Sequence, residues 1–181
     1  VTSGMFEQEL LRSKGLTVGR IDSRFLGLSR DVHAKEAEYD PQSSAVSGAF
    51  TAGFLDYYHR TLKFGMGKTY RTTNYMVGSK WKWEHQQPGY TQQMVNTSPD
   101  LGRALVANPS LQVLVLNGYL DLATPFYGAE WMMTHLNAPA SVQQRIRMEY
   151  YVSGHMMYLH PESMVKMKAD LDRFYKAALE R

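Results

Sequence analysis

The stretch LQVLVLNGYLDLATP at residues 111–125 decides the fold of this chain. It opens with a short apolar run, broken by one polar residue and rich in branched side chains, which predicts a strand buried on both faces, as in a parallel sheet. An Asn-Gly pair ends the strand, and Thr124 and Pro125 then predict a helix with Thr124 as N-cap and Pro125 at the first helical position. Asp121 is therefore expected in the loop after a strand, where open α/β sheets carry their functional residues.

A second segment, IRMEYYVSGH at residues 146–155, follows the same plan. Its first seven residues predict another strand, the next three a turn, and a further helix is predicted from Pro161. Asp121 and His155 thus occupy corresponding positions after two successive strands. Neighbouring parallel strands lie about 4.8 Å apart, so we expect a carboxylate oxygen of Asp121 within about 2.6–3.2 Å of a ring nitrogen of His155.

These two motifs, NGYLD at 117–121 and SGHMMY at 153–158, resemble the C-terminal part of a serine carboxypeptidase, a family with the α/β-hydrolase fold. The resemblance implies that Asp121 and His155 belong to a Ser-Asp-His triad, in the chain order that this fold uses. It extends loosely from about Leu10 to the C-terminus and is sharp only around the two motifs.

Three further residues of the motifs bear on the resemblance. Tyr119 stands where many members have an acidic residue, and Ser153 replaces the first Gly of the usual Gly-Gly-His. The family's Met after the catalytic His lines the pocket of the departing residue, so the resemblance implies a substrate-binding role for Met156. Core filling by a flexible side chain is the alternative for Met156 and the preferred interpretation of Met157.

The chain contains no nucleophile motif of the Gly-x-Ser-x-Gly type. The nearest match, AVSGA at 45–49, lies inside a predicted helix and lacks the strand–turn–helix context. In the family the nucleophilic Ser lies in the N-terminal half, so the resemblance implies that it lies outside this chain. The 181 residues are then a fragment, or one chain of a cleaved enzyme, and are inactive by themselves. The expected partners are a peptide substrate and the N-terminal part of the same enzyme.

The predicted function is a serine-type carboxypeptidase that hydrolyses C-terminal residues from peptides. Two alternatives stay open: a non-catalytic α/β-hydrolase-like binding module, and an esterase or acyltransferase of the same fold. Fold alone does not separate them. His155 and His160 lack the intervening Glu of a zinc-binding His-Glu-x-x-His, and neither a metal nor a cofactor is expected.

The composition excludes several other classes of protein. The net charge of +3 is small, and the longest basic cluster, KWKW at 80–83, is short, so no nucleic-acid partner is expected. No segment approaches the roughly 18 apolar residues of a membrane helix, so no membrane partner is expected. Cysteine is absent, which is typical of bacterial rather than eukaryotic members of the family. The resemblance implies a secreted or periplasmic enzyme, although residues 1–6 show no signal and the natural start is expected upstream.

A shift in composition near Ser98 predicts two domains in an α/β fold. Residues 1–97 are expected to form a mostly helical cap insertion, and residues 98–181 the C-terminal part of an α/β-hydrolase core. Within the cap, a helix is predicted from Pro41, a short hairpin around Gly78-Ser79, and a loop over 86–95.

Overall fold

The computed structural model describes residues 2–65 and 67–180, in which helices are combined with small two-stranded sheets. The helices are α1 (Ser3–Leu10), α2 (Pro41–Asp56), α3 (Met76–Lys80), α4 (Ser98–Ala107), α5 (Phe126–Thr134), α6 (Ala140–Gln143) and α7 (Pro161–Leu179). The strands are β1 (Leu16–Val18), β2 (Leu26–Leu28), β3 (His85–Gln87), β4 (Tyr90–Gln92), β5 (Val113–Gly118) and β6 (Ile146–Tyr151). Short 3₁₀ turns cover Arg12–Lys14 and Met157–Leu159, and a π-helical turn covers Tyr57–Thr61.

The described residues form two compact units. The first contains residues up to 43 together with those from 98 onward, and the second contains residues 44–97. Residues 2–43 therefore belong to the same unit as residues 98–180, and the division into a cap at 1–97 and a hydrolase core at 98–181 stays a prediction. Within the first unit, residues 20–24 form backbone hydrogen bonds with the loops that follow β5 and β6, about 100 to 130 positions later in the chain.

The first unit contains the predicted pair of parallel strands. β5 and β6 pair in parallel, with a register that runs from Val113 opposite Ile146 to Gly118 opposite Tyr151. The connection passes through α5 and α6, as parallel neighbours require a crossover. The structure is thus mixed α and β and compatible with the predicted α/β class.

The apolar core of this unit lies between the helices and the start of the two strands. Leu105, Leu136 and Val142 are buried. Partly buried apolar side chains surround them: Leu101, Leu111, Val113, Met133, Ala138 and Ile146. Helix α4 buries one stripe of its surface in this cluster, because Leu101 and Leu105 are four residues apart and share a face.

Helix α7 is attached to β6 by a buried polar contact. The Tyr151 hydroxyl donates a hydrogen bond of 2.8 Å to Asp170 Oδ2, and Lys166 lies over the Tyr151 ring at 4.5 Å. Lys166 Nζ also pairs with Asp170 at 2.7 Å. Helix α7 therefore has a defined position beside β6, which carries the His155 loop at its C-terminal end.

The second unit consists of most of α2, the π-helical turn, α3 and the β3–β4 hairpin. The predicted hairpin around Gly78-Ser79 is wrong, because these residues lie in α3. The hairpin lies later, over residues predicted as loop, and Gly89 between its strands has a φ of 86°, which favours glycine. No helix among the described residues is long and apolar enough to cross a membrane.

Candidate functional site

The predicted contact between Asp121 and His155 is confirmed. His155 Nδ1 lies 2.8 Å from Asp121 Oδ2. Both side chains are in loops that follow the C-terminal ends of β5 and β6, and the parallel register brings these ends side by side. The carboxylate is buried, with 4% of the side chain exposed, whereas 53% of the imidazole is exposed. The pair therefore presents a histidine to solvent with a buried carboxylate behind it.

The Asp121 carboxylate is fixed by its own loop. Its Oδ1 accepts hydrogen bonds from the amides of Ala123 at 2.8 Å and Thr124 at 2.9 Å. Its Oδ2 accepts a bond of 2.5 Å from the Thr124 hydroxyl. These contacts form an Asx-type turn, which holds the carboxylate in one orientation toward His155.

Thr124 is a site residue that the sequence analysis missed. It was predicted as the N-cap of a helix, but α5 begins at Phe126 with Pro125 in the N-cap position and no side-chain cap. The Thr124 hydroxyl instead contacts Asp121 and lies 3.1 Å from His155 Nδ1. The helix starts one residue later than predicted, and this leaves the hydroxyl available for the pair.

The contacts of Nδ1 select one tautomer of His155. The Thr124 hydroxyl has one proton, and at 2.5 Å it donates that proton to Asp121 Oδ2. Both oxygens near Nδ1 are then acceptors, so Nδ1 carries the ring proton and donates to Asp121. In the neutral ring Nε2 is then the basic nitrogen, and it makes no hydrogen bond to any described residue. The arrangement can accept a proton at Nε2 and stabilise the resulting imidazolium.

The electrostatics of Asp121 suit this role. Burial raises the pKa of the carboxyl, but hydrogen bonds from Thr124, from His155 and from the Ala123 amide outweigh it, so that the pKa is lowered from its ordinary value. Asp121 is therefore ionised at neutral pH. The charged carboxylate lies 2.8 Å from His155 Nδ1, where it can orient the ring.

Two glycines allow the site loops to approach each other closely. A Cβ atom on Gly118 would lie 2.3 Å from the Gly154 carbonyl oxygen, and one on Gly154 would lie 2.3 Å from Asp22 Cβ. Both distances are far inside van der Waals contact. The glycines of the Asn-Gly and Ser-Gly-His motifs are thus required by backbone proximity.

Asp22 and Arg24 are two further residues that the sequence analysis missed. Asp22 is fully buried, and its Oδ2 accepts hydrogen bonds from the Gly154 amide at 3.0 Å and from Arg24 Nη2 at 2.6 Å. Arg24 Nη2 also donates to the Ser153 hydroxyl at 3.1 Å. Ser153, the departure from the usual Gly-Gly-His, is thereby fully buried and hydrogen-bonded. No local pattern predicts a contact between residues about 130 positions apart.

Met156 lies beside the pair, but its contact is with another segment. Its thioether accepts a hydrogen bond of 3.0 Å from Nε2 of Gln42, which is fully buried at the start of α2. Met157 is buried, in agreement with the core-filling interpretation. The substrate-binding role of Met156 stays a prediction, with a side chain that is half-buried and held by Gln42.

Tyr119, the other departure from the family pattern, directly follows β5, and its side chain is exposed. Its ring stacks on Tyr150 with centroids 5.5 Å apart, and Tyr150 donates a hydrogen bond of 2.5 Å to Glu130. Burial and this contact with Glu130 raise the pKa of Tyr150 to about 12, so the phenol stays protonated.

The described residues contain no cluster of three or more His, Asp or Glu side chains that could hold a metal ion.

Comparison of the chain with protein-family models, with curated proteins and with solved structures gave no match.

Proposed function

We propose that this chain supplies the orienting carboxylate and the general base of a serine carboxypeptidase with the α/β-hydrolase fold. One observation carries the proposal: Nδ1 of the exposed His155 ring lies 2.8 Å from the buried Asp121 carboxylate across two adjacent strand ends, while Nε2 has no hydrogen-bond partner among the described residues. A triad needs the ring proton on the nitrogen that faces the carboxylate, because the other nitrogen must accept a proton from the nucleophile.

The proposed reaction uses both residues in two half-reactions. A Ser hydroxyl outside this chain attacks the scissile carbonyl carbon while its proton moves to His155 Nε2. The C–N bond then breaks, Nε2 returns the proton to the leaving amine, and the C-terminal residue departs from an acyl-enzyme. Water attacks the ester with His155 again as base, and the carboxylic acid and the Ser hydroxyl are restored. Asp121 stays ionised throughout and stabilises the imidazolium.

The incomplete burial of β5 supports a second part of the proposal, which concerns the location of the nucleophilic Ser. Among the described strands, β5 has β6 as its neighbour, and Val113–Leu116 are only partly buried. A strand of this composition is ordinarily covered on both faces and paired on both edges. We therefore propose that the N-terminal part of the same enzyme, with the nucleophilic Ser, pairs with the other edge of β5.

Native mass spectrometry of the purified protein tests this second part. The expected particle contains residues 1–181 joined to, or associated with, further polypeptide that carries a Gly-x-Ser-x-Gly motif. A monomer with the mass of residues 1–181 alone that unfolds cooperatively would contradict it, because β5 would then be stable without further strands.

Hydrolysis of a blocked dipeptide by the complete protein tests the activity. The substrate has a free C-terminal carboxylate, and the matched control is the same dipeptide as its C-terminal amide, which a carboxypeptidase should process poorly. We expect release of the C-terminal amino acid from the first substrate. Turnover of a p-nitrophenyl ester alone would favour the esterase alternative, and binding of the dipeptide without turnover would favour the non-catalytic module. On the family resemblance we also propose a secreted or periplasmic location.

A further inference from the structure

We propose that Asp22, Arg24 and Ser153 form a positioning cluster that fixes the loop carrying His155, and that this cluster keeps the imidazole on Asp121. The proposal rests on the function proposed above for His155. Asp22 and Arg24 lie outside both motifs, and Ser153 departs from the family pattern. None of these three side chains forms a hydrogen bond with the His155 imidazole.

The backbone of residues 20–24 connects the two site loops. One amide–carbonyl bond of 2.8 Å runs from the His155 amide to the Ile21 carbonyl. Two bonds of 3.0 Å reach the Asp121 loop, from the Leu122 amide to Arg20 and from the Ser23 amide to Leu120. A single short segment is thus bonded on one side to the orienting acid's loop and on the other to the base's loop.

The side chains of the cluster reinforce the connection to the His155 loop. Asp22 accepts from the Gly154 amide, and Arg24 binds the Asp22 carboxylate through Nε and Nη2. The same guanidinium donates to the Ser153 hydroxyl at 3.1 Å and to the Val152 carbonyl at 3.3 Å. Three consecutive residues before His155 are therefore held by one ion pair.

Burial explains why the Asp22 carboxylate needs its ion pair with Arg24. Asp22 is fully buried, and a buried carboxylate is tolerated only when it is paired and hydrogen-bonded in good geometry. Burial raises the pKa of Asp22, but the bonds from Arg24 and from the Gly154 amide outweigh it and lower the pKa from its ordinary value. The carboxylate therefore remains charged and stays with its partners over the whole neutral range.

Close packing transmits the position of Asp22 to the loop. Asp22 Cβ packs against Gly154 so closely that a Cβ added to Gly154 would lie only 2.3 Å from it. Gly154 precedes the base directly, so a shift of the carboxylate moves the peptide that carries His155. A displacement of about 1 Å in a reacting group can lower a rate on the order of 10²-fold.

The test uses Asp22→Asn in the complete protein, with two readouts. The first readout is the NMR spectrum of the His155 ring. Its ¹⁵N and Nδ1–H signals are assigned by their loss in His155→Ala. The second is the separate measurement of kcat and KM on the blocked dipeptide. We expect the Nδ1–H signal to broaden or vanish and kcat to fall about 10²-fold, with KM changed less than about twofold.

Asp31→Asn is the matched control. The Asp31 carboxylate accepts a hydrogen bond of 2.8 Å from the His33 amide, two residues later in the chain. Asp22 accepts the same kind of bond from the Arg24 amide at 3.0 Å. Unlike Asp22, Asp31 makes no hydrogen bond to the His155 loop among the described residues. The control variant should keep both the ring signals and kcat. A second variant, Ser153→Ala, retains the Asp22–Arg24 pair and removes one bond to the loop, so it should fold even if Asp22→Asn does not, and should lower kcat about threefold.

The outcomes separate this proposal from the proposed function. If the wild-type protein hydrolyses no peptide but Asp22→Asn still abolishes the Nδ1–H signal, the positioning role stands and the carboxypeptidase fails. If folded Asp22→Asn and Ser153→Ala both retain the ring signals and kcat of the wild type, the positioning role is overturned.

Discussion

Two histidines five positions apart have opposite environments. The first, His155, follows β6 and contacts a carboxylate that is 4% exposed, while Nε2 is left without a partner among the described residues. The second, His160, stands at the N-cap of α7, where Nδ1 contacts the Ser163 hydroxyl at 2.8 Å and Nε2 contacts Glu162 at 3.1 Å. The Glu162 side chain is 79% exposed.

The difference explains why we propose His155, and not His160, as a general base. Both nitrogens of His160 are occupied by residues of its own helix, so the ring has no position at which to receive a substrate's proton. The carboxylate beside His160 is also exposed and screened by water, which makes such a pair weak. In contrast, His155 combines a buried charge on one side with an open nitrogen on the other.

The largest expected effect comes from replacing these two histidines separately. If His155 is the base that we propose, His155→Ala in the complete protein should lower kcat on the blocked dipeptide by roughly 10⁴–10⁶, because the nucleophile would lose its base. His160→Ala should change kcat by no more than about twofold, since only contacts at the start of a helix are lost. Circular dichroism should show both variants folded. An inactive His160→Ala beside an active His155→Ala would mean that the motif has been misassigned.

Asp121→Asn should have the next largest effect, a fall in kcat on the order of 10⁴. The amide oxygen can replace Oδ1 and keep the bonds from Ala123 and Thr124. The amide nitrogen then replaces Oδ2 and donates, so His155 Nδ1 must accept and the ring proton moves to Nε2. Steady-state kinetics and ring ¹⁵N signals check this together, and an active variant with the proton on Nε2 would contradict the account.

Thr124→Val should have a smaller effect, about a tenfold loss of kcat, which corresponds to one hydrogen bond to a charged group. Its matched control is Thr134→Val, because the Thr134 hydroxyl also lies 3.1 Å from a histidine Nδ1, that of His135. The control should leave kcat unchanged, since His135 is stacked on Trp131 and no buried carboxylate among the described residues contacts its ring. Equal losses in both variants would remove the special role of Thr124.

The smallest effect concerns the dependence of stability on pH. The pKa of Asp121 is lower in the folded chain than its unfolded value of about 3.9. The ionised carboxylate therefore contributes stability that is fully present above the unfolded pKa and is lost as the pH falls through the folded pKa. In urea titrations, the difference in unfolding free energy between wild type and Asp121→Asn should be constant above about pH 5 and shrink below about pH 4. A difference that grows toward acid would contradict the pairing.

The parts of the site that were predicted correctly are those with a local signal in the sequence. The apolar run before Asn117 predicts a strand by its composition alone, and a second strand before His155 puts two loops at one sheet edge. The contact between Asp121 and His155 follows from that geometry, without knowledge of the side-chain packing around it.

The parts that were missed depend on contacts distant in sequence or on a shift of one residue. The distant contacts are those of Asp22 and Arg24, which lie near the start of the chain and reach Ser153 only after folding. For Thr124 the cause is the late start of α5, which makes the hydroxyl a partner of Asp121 and not a helix cap. The partly alternating aromatic run at 70–83 predicts a hairpin around Gly78-Ser79, but the glycine with a positive φ between the paired strands β3 and β4 is Gly89.

The central claim is that Asp121 and His155 activate a Ser outside residues 1–181, and covalent labelling of the complete protein tests it most directly. A phosphonofluoridate reacts with a Ser whose hydroxyl is deprotonated by an oriented base, and peptide mapping by mass spectrometry identifies the labelled residue. The account predicts one modified Ser, outside this chain, labelled at the wild-type rate in His160→Ala and at a rate lower by several orders of magnitude in His155→Ala. A labelled Ser within residues 1–181, or equal rates in the two variants, would contradict it.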